Sequence, residues 1–128
     1  MKITRIKETC LYVSDLEATR KFYHECLSLP VIAMVPGRHV FFEVGDTVLL
    51  CFYASATRNE KVLPPHYAEG KQHIAFEVPA PTYDRWKAAL LKKGVEITHE
   101  QKWKEGIYSF YFEDPDGHVI EIVPPGLW

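Results

Sequence analysis

Apolar and polar residues alternate with the period of a β-strand in several short stretches of the first half of the chain. Residues 6–13 alternate in this way and are rich in β-forming residues, which predicts a strand. Ser14 and Asp15 end this strand and can cap a helix, in which apolar residues recur at helical spacing until Ser28. Three short apolar runs with turn residues between them follow, at 31–35, 40–44 and 47–53. The predicted order is strand, helix and three strands.

The second half repeats this order. Residues 73–78 predict a strand, a proline-containing segment opens a helix that runs to Leu91, and Gly94 marks its end. Three more strands are predicted, at 95–101, 109–112 and 118–123, with the turn sequence Asp-Pro-Asp-Gly before the last. Glu8 and His73, at the starts of the two copies, are 65 positions apart. The two halves are therefore predicted to be copies of one βαβββ unit.

One four-stranded unit with one helix covers only one face of its sheet, so the second face needs another cover. We expect an α+β fold of two βαβββ modules, in which two sheets face each other across a cleft. At 128 residues the chain has the size of one domain, with module 1 at about 3–54, a linker at 55–71 and module 2 at about 72–125. The linker is polar and lacks a clean period, which favours a loop over the site.

Composition narrows the classes of function. Apolar residues make up 47% and charged residues 25% of the chain, which is ordinary globular usage, and the net charge of −2 with scattered basic residues argues against nucleic acid as a partner. No apolar run approaches the ~20 residues that cross a bilayer, and no export signal is evident, so no membrane partner and a cytoplasmic location are expected. Three dispersed cysteines read as reduced thiols. Small molecules are the expected partners.

Three polar residues are predicted to converge on the sheet faces opposite the helices. The repeat places Glu8 and His73 at equivalent strand positions, and Glu121 interrupts an apolar strand between Ile120 and Ile122. A carboxylate in such a strand is costly to bury unless it is paired or binds a metal. Together the three side chains suit Mn, Fe, Ni, Co or Zn. Taken singly, each has a plainer interpretation: a solvated glutamate, a hydrogen-bonded histidine and an ion-paired glutamate.

Cys10 and Tyr12 follow Glu8 at alternate positions of the first strand. Because side chains two residues apart lie on the same face of a strand, both are predicted to face the cleft with Glu8. We therefore predict that Cys10 and Tyr12 contact the substrate.

Three segments carry a resemblance to a known family: LYVSDL at 11–16, HIAFEV at 73–78 and FYFEDPDGHVIE at 110–121. They are similar to motifs of the glyoxalase/bleomycin-resistance/extradiol-dioxygenase, or vicinal oxygen chelate, superfamily, and the similarity extends over nearly the whole chain. The resemblance implies paired βαβββ modules that form an open, U-shaped mixed sheet with the helices outside, a divalent metal, and a homodimer. It also implies that Glu8, His73 and Glu121 are the metal ligands.

The chain departs from the family pattern at two positions. Many members have His or Gln where Glu8 stands, so the identity of the metal stays open. Leu50 stands where glyoxalase I has a fourth ligand, which makes the three-ligand site more similar to those of fosfomycin thiol transferases and extradiol dioxygenases. The resemblance to the transferases also places Ser109 and Tyr111 on the cleft side, as substrate-binding residues.

The first hypothesis is a divalent-metal-dependent, glyoxalase-like lyase or isomerase that acts on a small molecule with vicinal oxygens. Glu8 or Glu121 would serve as its catalytic base. An alternative is a metal-free protein that binds a small molecule or antibiotic, as bleomycin-resistance proteins do. Thiol transfer and extradiol-type dioxygenation are further alternatives, because one fold supports several chemistries.

Overall fold

The computed structural model describes all residues, 1–128, and the chain divides into two compact units, Met1–Gly70 and Lys71–Trp128. Each unit contains one four-stranded sheet of mixed direction and the helix that follows its first strand. The α+β fold with two βαβββ modules is therefore confirmed, and each sheet is open. No helix has the length and apolar character that crossing a bilayer requires.

The first unit contains four strands and two short helices: β1 (Glu8–Val13), α1 (Leu16–Arg20), β2 (Val31–Val35), β3 (His39–Val44), β4 (Thr47–Tyr53) and α2 (Ala54–Thr57). Its strand order is β1-β4-β3-β2, with β1 parallel to β4 and the other pairs antiparallel. Asp15 caps α1 as predicted, because its carboxylate accepts the backbone N–H of Ala18 at 2.9 Å. The helix continues as a π-helical turn over Lys21–Cys26, and its buried Tyr23 packs on Phe42 with ring centroids 5.5 Å apart.

The second unit repeats this plan with β5 (His73–Glu77), a 3₁₀ turn (Ala80–Thr82), α3 (Tyr83–Lys92), β6 (His99–Lys104), β7 (Ile107–Glu113) and β8 (Val119–Val123). Its strand order is β5-β8-β7-β6, with β5 parallel to β8. The register confirms the repeat, since Glu8 pairs with Val48 in the first unit and His73 pairs with Val119 in the second. The two modules thus share strand order and register.

Several predicted boundaries were wrong. β1 begins at Glu8 and not at residue 6, and β7 begins at Ile107 and not at residue 109. The strand expected at 95–101 lies at His99–Lys104, because the helix end extends further than its glycine suggests: Val95 N–H donates to Leu90 O at 3.0 Å. Pairing with β7 begins only where Thr98 N–H donates to Tyr111 O. A loop was expected from residue 55, but residues 54–57 form α2, a short helix that the sequence analysis did not predict. Its Thr57 hydroxyl donates to Tyr53 O and His66 O and so ties the following chain back to the helix.

Tyr83 connects α3 to the sheet of the second unit. Its ring packs edge-on against the buried Phe110 at 5.2 Å, and its hydroxyl donates to Glu100 Oε1 at 3.1 Å. Lys87 forms an ion pair with the same carboxylate. Burial, and secondly the hydrogen bond to Glu100, raises the pKa of Tyr83 far above its ordinary value.

This shift predicts a loss of stability in alkali. A phenol whose pKa is higher in the folded state contributes its full stabilisation below the unfolded pKa of about 10, and that stabilisation decreases as the pH rises towards the folded value. We expect Tyr83→Phe to reduce the slope of unfolding free energy against pH above about pH 10, measured by urea denaturation at several pH values. Tyr108→Phe, at an exposed tyrosine of the same unit, is the control. Equal slopes for the wild type and Tyr83→Phe would contradict the prediction.

Candidate functional site

Three polar residues of the second unit, His73, Tyr111 and Glu121, lie on the face of its sheet opposite α3. Strand alternation places Ile120 and Ile122 on the helix side and Glu121 on the other. Tyr111 of β7 pairs directly with Glu121, and Glu121 pairs on its other side with Ala75 of β5. His73 lies two residues before Ala75 on the same face. The fold therefore brings an imidazole, a carboxylate and a phenol to one face.

His73 is held in a defined tautomer. Its Nδ1 is 3.0 Å from the carbonyl oxygen of Val119. A carbonyl can only accept, so Nδ1 carries the hydrogen and, in the neutral ring, Nε2 carries a lone pair. Nε2 is 3.3 Å from Oε2 of Glu121. The backbone carbonyl of Val119 in β8 thus orients the ring of His73 in β5. The lone pair on Nε2 then faces the carboxylate of Glu121, which is also in β8.

Glu121 is the buried member of this group, with only 5% of its surface exposed. Its Oε1 accepts a hydrogen bond from the Tyr111 hydroxyl at 2.9 Å. Burial raises the pKa of Tyr111, and the hydrogen bond to Glu121 raises it further, while the Ser109 hydroxyl acts in the opposite direction. Tyr111 therefore remains a protonated donor at neutral pH, and Oε2 is the oxygen of Glu121 that faces His73.

The distance between His73 Nε2 and Glu121 Oε2 suits a divalent cation. With ligand bonds of about 2.1 Å, two ligands of one ion are about 3.0 Å apart at right angles and about 3.4 Å apart at the tetrahedral angle. The observed 3.3 Å falls between these values. Nε2 of the neutral His73 ring and Oε2 of Glu121 are both hydrogen-bond acceptors. They need a positive charge between them, which a proton or a metal ion can supply. The donor set and its spacing fit a divalent metal.

Glu8 lies in the first unit, at the start of β1, and its side chain is exposed. Within the single chain, no group of three or more His, Cys, Asp or Glu side chains is arranged to hold a metal ion. Of the three predicted ligands, the structure brings together His73 and Glu121, both in the second unit, and Glu8 belongs to the first unit.

The predicted substrate contacts occupy different environments. Cys10 and Tyr12 are half-buried on the same face of β1 as Glu8. Burial, and secondly the charge of Glu8, raises the pKa of Cys10, so its thiol is neutral and a weak nucleophile. Ser109 is fully buried, and its hydroxyl oxygen accepts the indole N–H of Trp103 at 2.9 Å. Ser109 is therefore already engaged by Trp103.

Sequence reasoning did not identify His118 as part of this site. His118 is 2% exposed, and its Nδ1 accepts the backbone N–H of Gln72 at 3.0 Å, while Val119 N–H donates to Gln72 O at 2.8 Å. These bonds fix the start of β5, where His73 stands, against the start of β8. The sequence signal for His118 was its position between a tight turn and a buried strand. A histidine next to a turn is more often exposed to solvent, so the signal was not recognised.

A cavity of about 410 Å³ lies elsewhere in the second unit, lined by Ala80, Tyr83, Asp84, Glu100, Gly106, Tyr108 and Pro124. Tyr108 and Glu100 are on the helix side of the sheet by strand alternation. The cavity therefore lies on the opposite face from Glu121 and is separate from the group around His73.

Known proteins share this architecture. The chain is similar to "Metallothiol transferase FosB" of Staphylococcus epidermidis (31% identity, 95% of this chain and 82% of the relative) and to "Glutathione transferase FosA" of Serratia marcescens (34% identity, 88% and 74%). A crystal structure named as lactoylglutathione lyase from Agrobacterium tumefaciens superposes with a TM-score of 0.94 at 31% identity, covering 100% of this chain and 98% of that one.

The family comparison covers most of the sequence. Residues 5–122 match the family described as "Glyoxalase/Bleomycin resistance protein/Dioxygenase superfamily". This match agrees with the repeated βαβββ modules and with the sequence resemblance. The chain belongs to the glyoxalase/bleomycin resistance protein/dioxygenase superfamily.

Proposed function

We propose that the protein is a divalent-metal-dependent enzyme that acts on a small molecule with vicinal oxygens, and that Glu8, His73 and Glu121 are its metal ligands. The observation that carries the proposal is the pair of acceptors, His73 Nε2 and Glu121 Oε2, that face each other at 3.3 Å. Their remaining polar atoms, Nδ1 and Oε1, are already bonded to Val119 and Tyr111. A preorganised pair of this kind is what a metal site needs from its surroundings.

Each protein group has a definite part in this proposal. A divalent cation bound there would supply a positive centre that withdraws electron density from substrate oxygens. Tyr111 donates to Oε1 and so fixes the plane of the Glu121 carboxylate. The Val119 carbonyl fixes the ring of His73, and His118 fixes the strand that carries it. Glu121, or Glu8, is the proposed proton acceptor, and Cys10, Tyr12, Ser109 and Tyr111 are the proposed substrate contacts.

The repeat supports Glu8 as the third ligand. Glu8 occupies in the first module the register position that His73 occupies in the second. We propose that the working form is a homodimer and that a second copy of the chain supplies Glu8 to the site of His73 and Glu121.

Thiol transfer is the reaction that we favour. Leu50 occupies in the first module the register position of Glu121 and offers no fourth ligand. The relatives named FosA and FosB are transferases by name, and one of them is a glutathione transferase. A glyoxalase-type lyase is the second candidate, because the lactoylglutathione lyase structure is 31% identical over the whole chain.

The metal proposal predicts the behaviour of two ligand variants. Protein purified without chelator should contain about one divalent ion per chain by elemental analysis, and His73→Ala and Glu121→Ala should each remove most of it. His99→Ala is the matched control, since His99 also contacts the Tyr111 ring, at 5.8 Å, but is no proposed ligand. A metal-free wild-type protein that binds aromatic molecules equally well in all variants would instead support the binding-protein alternative.

Coexpression of two inactive variants tests the origin of Glu8. Glu8→Ala and His73→Ala chains each lack one ligand, yet a mixed dimer has one site in which all three ligands are intact if Glu8 comes from the partner. Random pairing should then restore about a quarter of the wild-type metal content, since about half of the dimers are mixed and one of their two sites is complete. No restoration in isolated mixed dimers would show that Glu8 acts within its own chain.

Two assays separate the reactions. Metal-loaded protein is incubated with glutathione and fosfomycin, and loss of free thiol is followed. In parallel it is incubated with the hemithioacetal of glutathione and a 2-oxoaldehyde, and the rise of thioester absorbance is followed. We expect thiol consumption in the first assay, reduced about 100-fold or more by Glu121→Ala, because several kcal/mol of transition-state stabilisation depend on the ion. Turnover in the second assay alone would establish the lyase in place of the transferase. Activity retained by Glu121→Ala would rule out the proposed centre.

A further inference from the structure

His39 is a buried histidine of the first unit, and it is not one of the proposed metal ligands. His39 begins β3, pairs with Phe52 of β4 and is only 8% exposed. Its ring stacks on Phe41 at a centroid distance of 3.9 Å and an interplanar angle of 11°, and meets Phe52 edge-on at 6.1 Å. By strand alternation it lies on the sheet face opposite α1, the face that also carries Tyr12. An imidazole fixed among aromatic rings needs polar partners for its two nitrogens.

Arg38 supplies one partner and thereby sets the tautomer. Its Nη1 is 2.6 Å from Nδ1 of His39. A guanidinium can only donate, so Nδ1 accepts and the hydrogen of the neutral ring is on Nε2. Nε2 makes no hydrogen bond within the chain and is not fully buried. It is therefore a donor that remains accessible at the surface of the aromatic cluster.

Glu60 holds the arginine in place. Nε and Nη2 of Arg38 donate to Glu60 Oε1 at 3.1 and 2.7 Å, and the guanidinium lies over the Phe52 ring at 5.6 Å. Burial, and secondly the charge of Arg38, lowers the pKa of His39, while Glu60 opposes the shift. These are the charged groups that act on the imidazole, and the lowered pKa of His39 favours its neutral form at neutral pH.

We propose that the Nε2–H of His39 anchors a ligand subsite of the first unit that takes the carboxylate of a small aryl or acyl acid. The donor is unpartnered, and the Arg38 cation behind the ring strengthens it towards an anion. Phe41 and Tyr12, both half-buried on this face, offer apolar contact for the body of the acid. Arg38 acts through His39 and is a positioning residue. The subsite uses none of the proposed metal ligands. It shares Tyr12 with the proposed substrate contacts and adds an anchor for an anion that the metal proposal does not contain.

Benzoate is the probe, because it combines a planar ring with a carboxylate. Histidine-labelled protein in excess chelator is titrated with benzoate, and the ¹⁵N and ¹H signals of His39 are followed. We expect the Nε2–H tautomer in the free protein and a saturable shift of that proton on binding. His39→Phe keeps a ring in the stack but removes the donor and should weaken binding roughly 10-fold or more. His39→Gln places an amide donor near the same point and should retain most of the affinity.

The double variant Arg38→Met/Glu60→Gln tests the positioning role without leaving a carboxylate buried and unpaired. We expect its His39 to populate both tautomers, to titrate at higher pH than in the wild type, and to bind benzoate more weakly. The proposal is overturned by an Nδ1–H tautomer in the wild type, by the absence of saturation, or by equal affinity in His39→Phe. Because chelator is present throughout, these outcomes are independent of whether the metal proposal holds.

Discussion

A carboxylate placed in an apolar strand is the constraint on which the second unit depends. Glu121 is flanked by Ile120 and Ile122, which pack on the helix side, so its own side chain must point to the other face. A buried carboxylate without donors costs far more than most single contacts contribute. Tyr111 on one neighbouring strand satisfies one oxygen, and the second oxygen faces His73 from the other neighbouring strand. The two partners of Glu121 thus depend on the register of β8 with both of its neighbours, β5 and β7.

The two modules use the same backbone for different chemistry. Strand order and register are equal, yet the position of Glu121 is Leu50 in the first module and the position of Ala75 is Cys10. The face opposite the helix is consequently rich in aromatic rings in the first unit and carries hydrogen-bonded polar groups in the second. Because the backbone hydrogen bonds support the sheets in either case, these side chains can differ without loss of the fold.

Much of the fold could be predicted from the sequence because alternation and turn residues are local signals. The repeated order of strand, helix and three strands identified the two modules, and the isolated charge of Glu121 indicated the candidate site. The start of β6 could not be predicted, because it depends on how far the end of α3 continues through hydrogen bonds to Leu90. Nor could the hydrogen bond between Arg38 and His39 be predicted, since Arg38 is held by Glu60, 22 residues away in a segment without periodicity. Hydrogen bonds between residues so far apart in sequence cannot be predicted from the local pattern of polar and apolar positions.

His73 and His39 are held by their neighbours so that their Nε2 atoms have opposite hydrogen-bonding character. Each ring is held through Nδ1, but by partners of opposite character. The Val119 carbonyl accepts from His73, which leaves a lone pair on Nε2, and the Arg38 guanidinium donates to His39, which leaves a hydrogen on Nε2. A lone pair beside a carboxylate suits a cation, whereas an N–H polarised by a guanidinium suits an anion. The partner of Nδ1 therefore determines whether Nε2 of each imidazole can accept or donate a hydrogen bond.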